Sequence, residues 1–410
     1  MKVAIVTAGT LPVPAVKGGA VEALVENLAK ENEKYRQFEL VIISIFDHEA
    51  EKVARKKYPH TRFVFIRPGA LVEALDKATY FLANRLLKKR GAASYRNLFR
   101  RLYVLHQTTR ILAKETFDKV VLENSATLFR TLKGKHNYKK YEGNYYFHIH
   151  NAVTGSYGCA NIIKGCKTLA VSDYINRTLP DFMHAIPEQN LRVVPNAVDT
   201  ERFSKNESVA LSQNKDMRLR EKYHIQRDEK VILFTGRLTQ EKGVKELLLA
   251  FRQAKLPKTK LVIAGAVFFG SGIASDFESE LREIAEPMNE SIIFTGFISY
   301  DQMPEIYRMA DLAVIPSMWN DPAPLTVIEA MASGLPLITT LSGGIPEYVK
   351  ADCAFLFPRD ERIIVNLTWA MRELVMNDER RLLMSKVSRA RSKKMNLDRY
   401  YATFIKEISS

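Results

Sequence analysis

Short apolar runs alternate with longer stretches of helical periodicity along most of the chain. In the first half, β-branched and aromatic runs predict strands over Val3–Thr7, Leu40–Ile45, Arg62–Ile66, Lys119–Leu122, Tyr145–Ile149, Thr168–Val171 and Arg192–Val194. Apolar residues at three- and four-residue spacing predict helices over Ala20–Lys30, Leu71–Lys89, Leu98–Glu115 and Asp173–Leu179. The strands are nearly continuous in apolar character, as strands buried on both faces are, so each half reads as a parallel sheet covered by helices. Residues 204–228 break the pattern; they are polar, without apolar periodicity, and read as an interdomain connection. The alternation then restarts, with strands over Val231–Thr235, Lys260–Ala264, Ile292–Thr295, Leu312–Pro316, Pro336–Thr339 and Ala354–Phe357. Helices follow over Lys242–Lys255, Phe277–Ala285, Gln302–Met309, Leu325–Ser333, Arg362–Met376, Leu382–Lys394 and Arg399–Ile408. The pattern predicts an α/β protein of two doubly wound, Rossmann-like domains, 1–203 and 229–395, followed by a terminal helix in 396–410. Ligands of such sheets bind at the carboxyl ends of the strands.

A chain of 410 residues is long enough for two cores, and 46% hydrophobic with 26% charged residues is an ordinary globular balance. No run of about 18 apolar residues predicts a membrane span. Met1-Lys2-Val3-Ala4-Ile5-Val6 leads into a strand without a signal-peptide layout. Three cysteines, Cys159, Cys166 and Cys353, with no CxxC pair, point to a reducing, cytoplasmic setting without disulfides or a zinc site. The net charge of +15 is uneven. Arg85-Leu86-Leu87-Lys88-Lys89-Arg90, Tyr95-Arg96 and Leu98-Phe99-Arg100-Arg101-Leu102-Tyr103 interleave basic and large apolar residues at helical spacing. That pattern fits a helix with one core face and one solvated basic face. It also fits peripheral contact with an anionic membrane. No nucleic-acid motif accompanies the charge, so nucleic acid is not an expected partner.

The candidate chemistry concentrates in Pro316–Glu347. Asp321 and Glu329 stand eight positions apart. Pro322 and Pro324 between them stop one element and permit a helix to start at Leu325, which Gly334 would end. The exposed amides of Leu325, Thr326 and Val327 would form a phosphate site at that start, with two carboxylates beside it to hold hydroxyls. Earlier, Thr235-Gly236-Arg237 through Lys242-Gly243 joins a strand to a helix, and Arg237 and Lys242 suit a diphosphate.

Glu329-Ala330-Met331-Ala332-Ser333-Gly334, followed by Gly343-Gly344-Ile345-Pro346-Glu347, resembles the signature of the retaining family 4 glycosyltransferases. The chain departs from it at Asp321, where that family has a glutamate. The resemblance implies a GT-B fold: two Rossmann-like domains facing across a cleft, with the C-terminal helix crossing back to the first. It implies that Glu329 holds the ribose of a nucleotide sugar, Asp321 the transferred sugar, and Gly236, Arg237 and Lys242 the diphosphate. Gly265 and Phe297, at adjacent strand ends, would meet the base. In the first domain, Gly18 and Gly19 would lie near the diphosphate and acceptor, and His150 near the reacting carbon.

The implied reaction is retaining transfer of a sugar from a UDP-, GDP- or dTDP-sugar to a glycan or lipid-linked acceptor, as in surface polysaccharide synthesis. His150, Asp321, Arg237 and Lys242 are its catalytic candidates. No Asp-x-Asp motif is present, so neither metal nor cofactor is expected, and protein cations would neutralise the leaving group. Two other readings stay open: a GT-B nucleotide-sugar epimerase or hydrolase, and a GT-B module that binds without catalysis.

Overall fold

The structure, a computed structural model, describes residues 1–86, 97–204, 218–265 and 276–410. The middle of the basic run, with Leu87 to Arg90, Tyr95 and Arg96, and most of the expected connection, 205–217, lie outside the described residues. The chain divides into two compact units. The first comprises Met1–Val171, Ile175–Val194 and Tyr401–Ser410; the second comprises Ser172–Tyr174 and Pro195–Tyr400.

The first unit is built on a seven-stranded sheet. Its strands are β1 (Lys2–Val6), β2 (Glu39–Ile45), β3 (Arg62–Ile66), β4 (Lys119–Glu123), β5 (Tyr145–Ile149), β6 (Lys167–Ala170) and β7 (Leu191–Val193). The order is β3-β2-β1-β4-β5-β6-β7, with every pairing parallel. Val120, Val121 and Leu122 are fully buried, and each contributes about 1.5–3 kcal/mol by leaving water. Helix α1 (Ala20–Tyr35) buries Leu24, Val25 and Leu28. Helix α2 (His48–Lys57) is missing from the sequence-based expectation. Its buried face is only Ala50 and Ala54, too small to show as an apolar stripe, and Asp47 caps it by accepting from the amides of Glu49 and Ala50. Helices α3 (Ala70–Leu86) and α4 (Leu98–Lys114) follow. Buried Asp76 of α3 caps α4, accepting from the amides of Phe99 and Arg100 at 2.8 and 3.0 Å.

The last ten residues complete this unit. Tyr401 stacks on Tyr35 and Phe38 and donates to Asn32 Oδ1 at 2.6 Å. Tyr146 donates to the carbonyl of Ile408 at 2.8 Å, and Phe404 is fully buried.

The second unit holds six strands: β8 (Lys230–Thr235), β9 (Thr259–Ala264), β10 (Ile292–Gly296), β11 (Leu312–Ile315), β12 (Leu337–Thr340) and β13 (Ala354–Phe357). The order is β10-β9-β8-β11-β12-β13, again parallel throughout. Helices α5 (Val244–Ala254), α6 (Leu325–Ala332) and α7 (Ile363–Met376) belong to this unit, and α8 (Leu397–Ser409) carries the chain to its end. Leu247, Leu248, Phe251, Leu367 and Met371 pack with Ile232, Phe234 and Ile263 in one core. The first boundary falls at Val194 rather than at 203. The reason is local: Asn196 and Phe203 are tied to second-unit residues, Phe203 packing edge-on against Tyr307. Both sheets are therefore Rossmann-like, as the apolar runs predict, and the terminal helix ends in the first unit.

Candidate functional site

In the second unit the strand ends set the geometry. β8 ends at Thr235, and Gly236 follows with φ 151°, outside the range of most L-residues. A Cβ on Gly265, just after β9, would stand 1.8 Å from the Gly236 carbonyl oxygen. Both positions must therefore be glycine for the two strand ends to touch. Arg237 is exposed, and its guanidinium makes no hydrogen bond or ion pair among the described residues. The next loop is clamped to β11. A Cβ on Gly243 would meet the Pro316 carbonyl oxygen at 1.9 Å, and the Met318 amide donates to the Glu241 carbonyl at 2.8 Å. This clamp delivers Lys242 to Asp321, Nζ to Oδ2 at 2.6 Å, with the ammonium 5.4 Å from the Trp319 ring centre. Asp321 is buried and also lies 3.4 Å from Ser317 Oγ. The two residues expected to bind diphosphate and sugar separately are bonded to each other.

Helix α6 starts after Pro324 with no side-chain cap. The amides of Leu325 and Thr326 have no partner among the described residues and remain open donors. Val327 differs from expectation, because its amide donates to the Pro324 carbonyl at 3.2 Å. Asn196 fixes the approach to the helix, donating from Nδ2 to the Ala323 carbonyl at 2.8 Å. The Gly343–Gly344 turn is packed backbone against backbone. Its two glycines would place Cβ atoms 2.3 and 1.9 Å from the carbonyl oxygens of Asp321 and Pro322, and Gly344 N donates to Asp321 O at 2.9 Å. Glu347 caps another helical turn, accepting from the amides of Asp173 and Tyr174 at 2.8 and 2.7 Å.

Glu329 is buried one turn into α6 and accepts from the Tyr307 hydroxyl at 2.8 Å. Burial pushes its pKa up to about 7, against hydrogen bonds from Tyr307 and Tyr300 and the charge of Arg202. Burial, then the Glu329 charge, raises both phenols well above their ordinary value, so they stay protonated donors. Tyr307 is held in turn by Thr235 Oγ1 at 2.7 Å. Sequence reasoning missed both tyrosines; Tyr300 lies in a turn and Tyr307 in the short helix Met303–Arg308, and nothing local separates a core ring from a site hydroxyl. Phe297 is 46% exposed after β10.

In the first unit, Gly18 and Gly19 have φ 76° and 104°, and Gly19 precedes α1. Lys17 pairs with Asp47 at 2.6 Å. His150 follows β5 and is 7% exposed. Its Nε2 lies 3.0 Å from Glu123 Oε2, and His148 Nδ1 lies 3.1 Å from the same oxygen. The donor atoms of Glu123, His148 and His150 all fall within 4.8 Å of one another, close enough to hold a cation. Sequence reasoning missed Glu123; the available signal was an acid closing an apolar strand at its carboxyl end. Glu22, in the first turn of α1, is also buried, and burial with the Glu123 charge pushes it up to about 7 against a bond from its own amide.

Residues 216–391 match the family glycosyl transferases group 1. YtcC of Bacillus subtilis strain 168, whose name is that of a glycosyltransferase, is 29% identical over 357 residues, covering 85% of this chain and 77% of that protein. The lipopolysaccharide 1,2-N-acetylglucosaminetransferase of Salmonella typhimurium is 26% identical over 233 residues, 56% of each chain. The Anabaena protein HepE, solved with UDP and glucose, superposes over 100% of both chains with a TM-score of 0.72 at 16% identity. The fold is thus that of the GT-B glycosyltransferases. Residues 216–391 carry the glycosyl transferases group 1 match, and the relatives that this chain resembles are named glycosyltransferases.

Proposed function

We propose that this protein transfers a sugar, with retention, from a nucleotide-sugar donor to a hydroxyl of a glycan or lipid-linked acceptor in surface polysaccharide synthesis, without a metal ion. The observation that carries the reading is the pair of amides of Leu325 and Thr326 at the start of α6, open among the described residues, in the unit that also presents the exposed guanidinium of Arg237. Amides at a helix start and a planar cation suit the two phosphates of a nucleotide diphosphate. They would stabilise charge on the leaving group with little reorganisation. Glu329 takes the ribose hydroxyls. Asp321 takes a hydroxyl of the transferred sugar while Lys242 shares its charge. Phe297 and Gly265 take the base. Gly18, Gly19 and His150 serve the acceptor side. UDP and glucose are bound in HepE, which supports a nucleotide-sugar donor here and leaves UDP, GDP and dTDP as the forms to test.

The acceptor's place is read from α3 and α4. Leu71, Leu75, Phe81 and Leu82 of α3 are exposed, as are Arg85, Arg101 and Arg110. Apolar groups facing water beside basic ones fit peripheral contact with the anionic inner face of a cell membrane. No helix among the described residues is long and apolar enough to cross a membrane.

The deciding experiment measures nucleotide release from UDP-, GDP-, dTDP- and ADP-sugars, with and without lipid-linked acceptor. Acceptor-dependent release from one donor is expected. Release without acceptor would favour a hydrolase or epimerase. No release and no thermal shift with any donor would overturn the reading in favour of a module that only binds.

A further inference from the structure

The cluster of Glu123, His148 and His150 is more ordered than an acceptor-side histidine requires. Parallel pairing sets Glu123 of β4 opposite His148 of β5. His148 and His150 lie two residues apart on one face, with ring centres 4.1 Å apart. Both rings present a nitrogen to the one carboxylate, at 3.1 and 3.0 Å from Oε2. The His150 amide is pinned separately to Asn124 Oδ1 at 3.1 Å.

We propose that Glu123 is a positioning residue: it accepts the Nε2–H of His150 and the Nδ1–H of His148, so His150 stays the Nε2–H tautomer and offers its bare Nδ1 to a substrate hydroxyl. An ionised carboxylate can only accept, so each nitrogen facing it carries a hydrogen. Glu123 is fully buried; burial raises its carboxyl, but His148 and the hydrogen bonds from both rings outweigh that and hold it at about 2, so it is ionised. Burial and then His148 push His150 down to about 4 against the pull of Glu123, so its ring is neutral near pH 7. A neutral ring with hydrogen on Nε2 has a lone pair on Nδ1. That Nδ1 has no hydrogen bond among the described residues. His150 therefore takes a hydrogen bond from a hydroxyl and cannot give one through that atom. The groups facing Glu123 are the two histidines and the buried Glu22 of α1. The carboxylate-to-nitrogen distances are those of hydrogen bonds. Naming the hydroxyl as one of sugar or acceptor rests on the glycosyl-transfer reading; the tautomer does not.

The test is nitrogen NMR of the full chain labelled with ¹⁵N-histidine, the two rings assigned by signal loss in His150→Gln and His148→Gln. A protonated Nε2 and a bare Nδ1 on His150, unchanged from pH 8 to pH 6, are expected. In Glu123→Gln the amide both donates and accepts, and the single-tautomer pattern of His150 should be lost. Should that variant not fold, Glu123→Asp withdraws the carboxylate by one methylene. It should speed exchange of the Nε2 hydrogen with water by about tenfold, as loss of one hydrogen bond does. A hydrogen on Nδ1 of wild-type His150, or the same His150 pattern and exchange in the variants, overturns the proposal. So does a one-to-one shift of both rings when zinc is added to EDTA-stripped protein, which would replace the hydrogen bonds with a metal centre. The readout needs no turnover, so its failure is separate from failure of the donor screen.

Discussion

Glu329 sets a conflict between stability and binding at a single carboxyl group. Its ordinary value is 4.5, and burial raises it to about 7. The folded protein thus holds an extra proton between those values, and this site's contribution to stability falls as pH rises from 4.5 to 7. Donor binding runs the other way, because ribose hydroxyls donate best to the ionised form. Affinity for the nucleotide found in the donor screen should rise from pH 6 to pH 8, measured by calorimetry. Glu329→Gln should weaken that affinity by about 1.5–3 kcal/mol per lost charged hydrogen bond and flatten its pH dependence. Unchanged affinity would remove Glu329 from the site. The Lys242–Asp321 pair makes a different forecast. Asp321→Asn leaves a largely buried ammonium, 20% exposed, without its counterion. Stability should drop by about 1–3 kcal/mol, read from the urea midpoint at constant slope. A rise in stability would mean that the pair is held against its own desolvation cost.

Among the elements, the loops that place these residues depend on contacts too close for a side chain. Gly344 has ordinary backbone angles, φ −88°, so its requirement is purely steric. Gly344→Ala would set a methyl 1.9 Å from the Pro322 oxygen and against Ser172. It should cost about 1–3 kcal/mol or more by overpacking. It should also loosen the approach to α6 and so weaken the donor, whereas normal stability and affinity would refute the contact. These contacts explain what the chain discloses about itself. β5, Tyr145–Ile149, is read to the residue because Tyr145, Tyr146, Phe147 and Ile149 all favour a strand. Helix α2 is not, because two alanines are all it buries. Gly343 and Gly344 are found by composition, but their purpose, backbone against backbone, appears only when Asp321 and Pro322 are in place. The Lys242–Asp321 bond joins residues 79 positions apart, and Glu123 meets His150 across 27. No local pattern announces such partners, which is why neither the bond of Asp321 to Lys242 nor the place of Glu123 shows in the sequence.

For the molecule as a whole, the charge of +15 and the exposed face of α3 predict lipid behaviour. The protein should float with vesicles containing phosphatidylglycerol and not with phosphatidylcholine alone. Phe81→Ser with Leu82→Ser should reduce recovery several-fold without loss of donor binding. Equal flotation on both lipids would reject electrostatic attraction. A second feature has a temporal meaning. Residues 401–410, helical as far as Ser409, join a unit whose strands are all made earlier. While the ribosome is still reading the middle of the message, Asn32 and Tyr146 have no partner for the bonds that Tyr401 and Ile408 later supply. Early domains ordinarily fold as they emerge; here the first unit lacks those contacts until residues 401–410 are made. A nascent polypeptide stalled at residue 396 should be cut by protease within the first unit, and resistance should arrive only once residues 401–410 have emerged.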